Sequence, residues 1–401
     1  MTKRQGPLAG LKVIEFAHIM AGPACGLMLA DMGADVIKLE APEGDDSRRF
    51  VPPTIAGEAA AFMMMNRNKR GIAVNLKSEG GRAVARRLVG RADAVIENYR
   101  KGTMEKFGLG YEACAKDNPG LVWCELSGFG RTGPYAERGG FDPIAQGMSG
   151  LMSITGAGSS GPPMKVGAPL TDITAGILGA MGVLAALLAR TRTGRGQRVD
   201  TSLFEAGIVH TYWQSAIAFA TGIAPGALGT AHPLNAPYQA FRTSDGWITV
   251  GAANQANWLR LIEALAAPEL ARDPRFADNA SRMKNLKSLE TALAPYFASR
   301  NSAEWLAKLE AAGVPAGPVL DIKQMHRDAQ TLAREMVVEV NHPKAGPVKT
   351  LGLPVKFSNT PGGIAGPAPT LGQHTREVLA EHGFSAAEIE KLIADGAVAA
   401  G

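Results

Sequence analysis

Along the first third of the chain, short runs of β-branched and aliphatic residues alternate with stretches whose apolar positions recur every three or four residues. Residues 11–16, 36–40, 72–76, 92–97 and 121–126 have the composition of strands. Between them, residues 23–32 and 78–89 carry helical spacing, with Pro23 in the first turn of one helix and Gly33 where its C-cap belongs. Strands separated by helices predict βαβ crossovers and a mostly parallel sheet with helices on both faces. Ligands of such sheets sit beyond the C-terminal strand ends, so the residues just after each strand come under scrutiny.

The pattern changes further on. Residues 173–189 are almost wholly apolar and read as a buried helix, shorter than the ~20 residues of a membrane span. Residues 222–229, rich in Gly, Ala and Pro, read as a boundary. A strand at 247–250 and helices at 257–266, 288–298 and 302–312 then predict a smaller mixed unit. Short strands at 337–340 and 348–350 follow, then a Gly/Pro-dense loop at 358–371. Ser385 and Glu388 have the spacing of a capping box that opens a terminal helix.

Composition narrows the function classes. The chain has 401 residues and a net charge of +5, from 42 Lys and Arg against 37 Asp and Glu. The charges are dispersed, which argues against nucleic acid and permits a small anionic ligand. Three cysteines, Cys25, Cys114 and Cys124, form no C-x-x-C pair and point to reduced thiols in the cytoplasm. The N-terminal residues lead into no apolar signal segment. No spacing of His and Cys asks for a metal.

Four segments carry candidate chemistry, each with a plainer reading beside it. The turn after the first strand, Ala17 to Pro23, could cradle an anion at a helix N-terminus or be an ordinary βα turn. It is neither a G-x-G-x-x-G nor a Walker A pattern. Asp172 stands at the start of the long apolar helix. An acid there complements the helix dipole and tends to stay ionised; it could equally be a covalent nucleophile toward an activated acyl group, and spacing does not separate the two. The glycines of 127–134 and 139–140 allow close backbone approach, or simply make loops. Lys69, Arg70, Lys77, Arg100 and Lys106 fall near strand ends, where phosphates could dock or where charges are merely solvated. His232 lies in a loop, as a carboxylate binder or as a satisfied loop residue.

Taken in order, these segments resemble the family III (CaiB/BaiF, formyl-CoA transferase-like) CoA-transferases. The resemblance rests on the stretch 8–16, on Ala21-Gly22-Pro23, on 33–40, on Asn66-Arg67-Asn68-Lys69-Arg70, and on Glu97-Asn98-Tyr99. It continues through Gly128-Phe129-Gly130, Thr193-Gly194-Arg195-Gly196-Gln197 and Leu371-Gly372-Gln373-His374-Thr375. It implies an α/β fold: a large Rossmann-like domain of residues 1–221 and 330–401, a small α/β domain of 222–329, and two subunits interlocked as a homodimer. It carries the catalytic aspartate onto Asp172. Coenzyme A contacts fall on Met20, Ala21, Ala41, Val74, Lys77, Asn98, Tyr99, Lys106, Gly139, Gly140, Phe141 and Asp142; Ala41 departs from relatives that have Arg there. Coenzyme A is then a substrate rather than a resident cofactor, and no nucleic acid or membrane partner is implied. The implied activity passes CoA from an acyl-CoA to a carboxylic acid through an aspartyl-CoA thioester. An α-methylacyl-CoA racemase is the alternative, but such relatives have His where Phe141 stands, and Phe cannot transfer a proton. No tetraglycine loop lies between Thr221 and Asn257, and the segments 229–232 and 237–241 resemble a branch that uses succinyl-CoA and dicarboxylic acids.

Overall fold

A computed structural model describes residues 5–401. Two compact units divide the chain: one holds residues up to Ser149, Val166–His210 and Ala329–Gly401, the other Gly150–Lys165 and Thr211–Asp328.

In the first unit β1 (Lys12–Phe16) leads to α1 (Ala21–Asp31) and β2 (Asp35–Glu40). A small hairpin, β3 (Thr54–Ile55) and β4 (Glu58–Ala59), precedes α2 (Ala60–Met65) and β5 (Arg70–Val74). Then come α3 (Glu79–Val89), β6 (Ala94–Glu97), α4 (Thr103–Lys106), α5 (Tyr111–Asp117), β7 (Val122–Ser127) and α6 (Asp142–Met148). After α7 (Leu151–Ile154) of the second unit, the first resumes with α8 (Leu170–Thr193), β8 (Arg198–Ser202) and α9 (Leu203–Ile208). The second unit contributes a three-stranded antiparallel sheet of β9 (Tyr238–Arg242), β10 (Trp247–Gly251) and β11 (Ala316–Pro318), packed on its own core around Trp258, Phe276, Phe297 and Trp305. The returning chain adds the hairpin β12 (Val337–His342) and β13 (Gly346–Leu351), and ends in β14 (Val398–Ala399).

The main sheet has the order β14-β5-β2-β1-β6-β7-β8 and is parallel except for β14. Its inner strands are largely apolar on both faces, as parallel strands between helical layers are. Ile14, Ile37, Ile72, Val95 and Trp123 point to the layer that holds α3. Their neighbours Val13, Val36, Ala94, Val122 and Cys124 point to the layer of α1 and α8. The polar edge strand β8, Arg-Val-Asp-Thr-Ser, lacks the apolar run that marks its neighbours, and sequence reading passed over it. Ser78 caps α3, and Ser385 and Glu388 form the expected capping box.

The long helix departs from expectation. It has 24 residues, enough by length and apolarity to cross a membrane, but only one face is buried. That face lies on α1 and the sheet. A Cβ at Gly176 would come 2.6 Å from Ala24 Cβ and 2.8 Å from the Ala21 carbonyl oxygen, and one at Gly182 would come 2.4 Å from Val199 Cγ1. The glycines thus seat α8 at a distance no side chain would permit. The opposite face leaves Ile177, Met181 and Leu188 49%, 60% and 67% exposed, so α8 is half-buried rather than buried.

Candidate active site

The sheet order places β2 on one side of β1 and β6 on the other, so the loops after β1 and β6 leave a crevice between them at their C-terminal ends. Asn98, just past β6, ties those loops together. Its side-chain oxygen accepts from the His18 N–H (3.0 Å) and its amide donates to the His18 carbonyl (2.9 Å). The next residue, Ile19, holds φ +66°, a conformation disfavoured for a β-branched residue. What holds it is Asp45, whose carboxylate accepts from the Ile19 N–H (3.1 Å), from Ser47 N–H (2.8 Å) and from the Ser47 hydroxyl (2.7 Å).

Asp45 belongs to a buried ion cluster. Lys38 Nζ lies 2.8 Å from Asp45 Oδ2, 3.1 Å from Glu15 Oε1 and 2.6 Å from the Ala17 carbonyl oxygen. Lys69 Nζ lies 2.8 Å from Glu15 Oε2 and donates to the Pro23 carbonyl (2.9 Å). The three carboxylates Glu15, Asp45 and Glu40 outweigh the cost of burying Lys38 and push its pKa up, while Asp45 is held well below the usual carboxylate range. For Lys69 burial is the larger effect, and it brings the amine down to about 8. The expectation that Lys69 and Arg70 meet phosphates fails for this reason. Arg70 is likewise engaged, by Asp35 (2.6 Å), Glu381 (2.7 Å) and Glu377 (3.0 Å).

A third wall comes from the segment after β7. Here Gly128 and Gly140 meet backbone to backbone: a Cβ on Gly128 would stand 2.6 Å from Gly140 Cα, and one on Gly140 2.7 Å from Gly128 Cα. Arg131 is clamped beneath, ion-paired to Glu97 and donating to the Tyr99 carbonyl (3.1 Å). Together these walls enclose a cavity of about 410 Å³. Met20 and Ala21, Asn98 and Tyr99, and Gly139, Gly140 and Phe141 line it, as does Asp172. Its rim carries Arg100, Lys101 and Arg138; Lys101 pairs with Glu137 (3.1 Å), whereas the exposed Arg100 meets no carboxylate among the described residues.

Asp172 occupies the first turn of α8, whose N-cap, Pro169, supplies no side-chain hydrogen bond. Among the described residues no donor reaches its carboxylate. Burial, and secondarily the charge of Asp142, push it up to about 7. This corrects the expectation that a helix-start carboxylate stays readily ionised: removal from water outweighs the dipole.

The other expected residues divide. Asp142 is buried beneath the wall rather than on it. Ala41, Val74 and Lys77 lie at or just past the ends of β2 and β5, and Lys106 ends α4; none lines the cavity. Val74 is a core side chain. His232, in the second unit, stacks on Tyr238 at 5.1 Å, and its Nδ1 accepts from the Leu234 N–H (3.1 Å), so Nε2 carries the proton of the neutral ring. Sequence reading named the segments that hold His18 and Arg131 without singling out either side chain, and missed the Lys38 cluster. A Lys inside an apolar strand, two residues before its end, was the available signal for the last.

The chain is similar to known proteins along nearly its whole length. The family described as CoA-transferase family III matches residues 8–375. An acyl-CoA transferase of Fusarium pseudograminearum is 41% identical over 98% of this chain and 89% of its own. The succinyl-CoA:glutarate CoA-transferase of Mus musculus is 38% identical over 98% of this chain and 90% of its own. The crystal structure of a CaiB/BaiF family protein from Brucella suis superposes with a TM-score of 0.85 at 40% identity, covering 94% of this chain and 100% of that one.

Proposed function

Because the chain belongs to CoA-transferase family III, we propose that it moves CoA from succinyl-CoA to a dicarboxylic acid, with Asp172 as the covalent nucleophile. The observation that carries this reading is a half-buried carboxylate without a hydrogen-bond donor, facing a basic-rimmed cavity at the sheet's switch point.

Asp172 attacks the thioester carbonyl of the donor; the new C–O bond forms as the C–S bond breaks, giving a mixed anhydride and CoA thiolate. The thiolate attacks Asp172 Cγ, expels succinate and leaves an aspartyl-CoA thioester. The acceptor carboxylate displaces the thiolate from Cγ, and the thiolate then takes the acceptor's acyl carbon and releases Asp172. Each intermediate remains activated and no net proton is consumed. Phe141, 66% exposed at the cavity, has no proton to exchange, which disfavours the racemase reading.

The attacking form is the anion. Raised to about 7, the Asp172 carboxyl is protonated as pH falls through neutrality. The expected profile of kcat/KM is therefore flat above pH 8 and declines about tenfold per pH unit well below 7. A profile flat down to pH 5 contradicts Asp172 as nucleophile.

Coenzyme A is longer than the cavity. We place its nucleotide across the C-terminal edge of the sheet, past Ala41, the Val74 backbone and Lys77, with Lys106 on the other side. Lys77 and Lys106 are exposed at positions that suit phosphates. Lys77→Ala and Lys106→Ala are each expected to raise KM for the thioester about tenfold with kcat unchanged; unchanged KM removes them from the site.

The large domain is assigned to residues 1–221 and 330–401 and the small domain to 222–329, in a cytoplasmic interlocked homodimer. Buried free thiols fit a reducing compartment. The bare face of α8 fits burial by a second copy. Sedimentation equilibrium is expected to give twice the 42.0 kDa of one chain, and a monomer rejects the assembly.

A further inference from the structure

Asp142 opens α6 and is 5% exposed. Its Oδ1 accepts from the Thr171 N–H (3.0 Å) and the Thr171 hydroxyl (2.7 Å), and its Oδ2 accepts from Gln146 Nε2 (2.8 Å). Gln146, one turn on, uses its own Oε1 to accept from the Val166 N–H (2.8 Å). The segment that leads into α8 is thus tied to α6 at both ends, and the tie closes on the residue immediately before Asp172.

Every donor to Asp142 is neutral. Among the described residues no Lys, Arg or His pairs with it, although it is nearly as buried as the cluster acids Glu15 and Asp45, which have lysines. An asparagine would keep the two Thr171 bonds but set its amide nitrogen against the donating Gln146 Nε2. A charge kept buried without a counter-ion costs stability, and this one is held against the residue next to Asp172.

We propose that Asp142 is a positioning residue that acts by charge as well as by hydrogen bonds: it locks the first turn of α8 so that Asp172 faces the cavity, and its uncompensated charge destabilises the free Asp172 carboxylate relative to the acylated one. This rests on Asp172 being the nucleophile. When Asp172 becomes an anhydride or a thioester, its negative charge leaves on the departing thiolate or carboxylate, and the repulsion from Asp142 goes with it. The covalent states gain against the free enzyme, and a less stabilised carboxylate is a stronger nucleophile. The shift of Asp172 toward neutrality, to which Asp142 contributes, agrees. The other charged groups around the cavity are His18 and Asp46 after β1 and β2, Arg100 and Lys101 after β6, and Arg131, Glu137 and Arg138 after β7. Of the charged groups, Asp142 is the one whose charge raises Asp172, second to burial.

The test reads Asp172 directly, by ¹³C titration of aspartate side-chain carboxyls in the full-length protein, with the Asp172 signal assigned by its loss in Asp172→Asn. Asp142→Asn and Asp142→Ser are two neutral replacements; the serine sets no amide against Gln146, so one folded variant suffices. Either is expected to lower the Asp172 midpoint by about one pH unit, to move the acid limb of kcat/KM by the same amount, and to reduce the fraction of protein in covalent adduct with succinyl-CoA about tenfold. Thr171→Val keeps the charge, and is expected to lower turnover while leaving the midpoint in place. A wild-type midpoint in a folded Asp142 variant, or an equal shift in Thr171→Val, overturns the proposal. Because the titration needs no turnover, transfer with an unmoved midpoint refutes the charge coupling alone. A moved midpoint in a protein that transfers nothing supports the coupling and refutes the transferase reading.

Discussion

Asp172→Asn is expected to abolish CoA exchange between succinyl-CoA and dicarboxylic acids, with a fall in kcat of about 10⁴-fold or more. The amide keeps the shape of the side chain, and among the described residues no hydrogen bond depends on the carboxylate. The loss therefore reports chemistry rather than folding. Intact-protein mass spectrometry separates the roles further. Wild-type protein mixed with succinyl-CoA should show an acyl or CoA adduct on the peptide holding Asp172, and the variant should show none. Transfer that survives in the variant, or an adduct on another peptide, rejects the assignment. The same substitution should raise stability at alkaline pH. The folded-state pKa of Asp172 lies above its unfolded value, near 4. The proton-bound form is thus favoured by folding: the native state is penalised once pH rises through about 7, and not below about 4. Asp172→Asn removes that penalty, so its gain in Tm should be present at pH 8 and shrink to nothing by pH 4. A stability cost of this kind is what the proposed nucleophilic role leads one to expect.

Lys38→Met should be the most destabilising single change outside the apolar core, about 3–5 kcal/mol. The side chain is wholly buried and its ammonium neutralises Glu15 and Asp45 while capping the Ala17 carbonyl. Methionine fills the volume but strands two buried carboxylates, with Lys69 left to serve Glu15. Denaturant unfolding reads the loss, and the double variant Lys38→Met/Asp45→Asn should recover part of it, since the stranded charge is then gone. A cost below about 1 kcal/mol would mean that the cluster is solvated and not the frame described. Asp45 also holds the Ile19 N–H at the cavity wall, so KM for the thioester should rise in the single variant.

The order of elements was legible because the inner strands of the parallel sheet are covered on both faces, which keeps β1, β2, β5, β6 and β7 largely apolar, with the buried ion cluster of Glu15, Lys38 and Glu40 as an exception. The edge strand β8 escaped notice for the converse reason: with one neighbour and partial exposure it can be polar. The excess of Gly, Ala and Pro at 222–229 marks the loop after the helix that ends at Thr221, whereas the long segment of the second compact unit begins earlier, at Thr211.

Within the site, an acid at a helix start and glycines after a strand were visible as local patterns, but those patterns left Asp172 and the glycine segments undecided until the family resemblance singled them out. Which lysines serve a ligand was not. Lys69 and Lys77 look alike in sequence; one is buried against Glu15, 54 residues away along the chain, and the other is exposed. Asp142 looked like part of a ligand loop until its partners were seen to be Thr171 and Gln146.

Sequence alone determined the class of fold and the chain order of its elements, because periodicity, capping and turn chemistry act over a few residues; it placed an acid at the start of α8, and only the family resemblance singled that acid out. Only the tertiary structure decided that this carboxylate faces a cavity, that it is held near neutrality, and that Asp142 stands behind it. Burial and charge pairing depend on which distant segments meet, and their energies fall off with distance in space rather than along the chain.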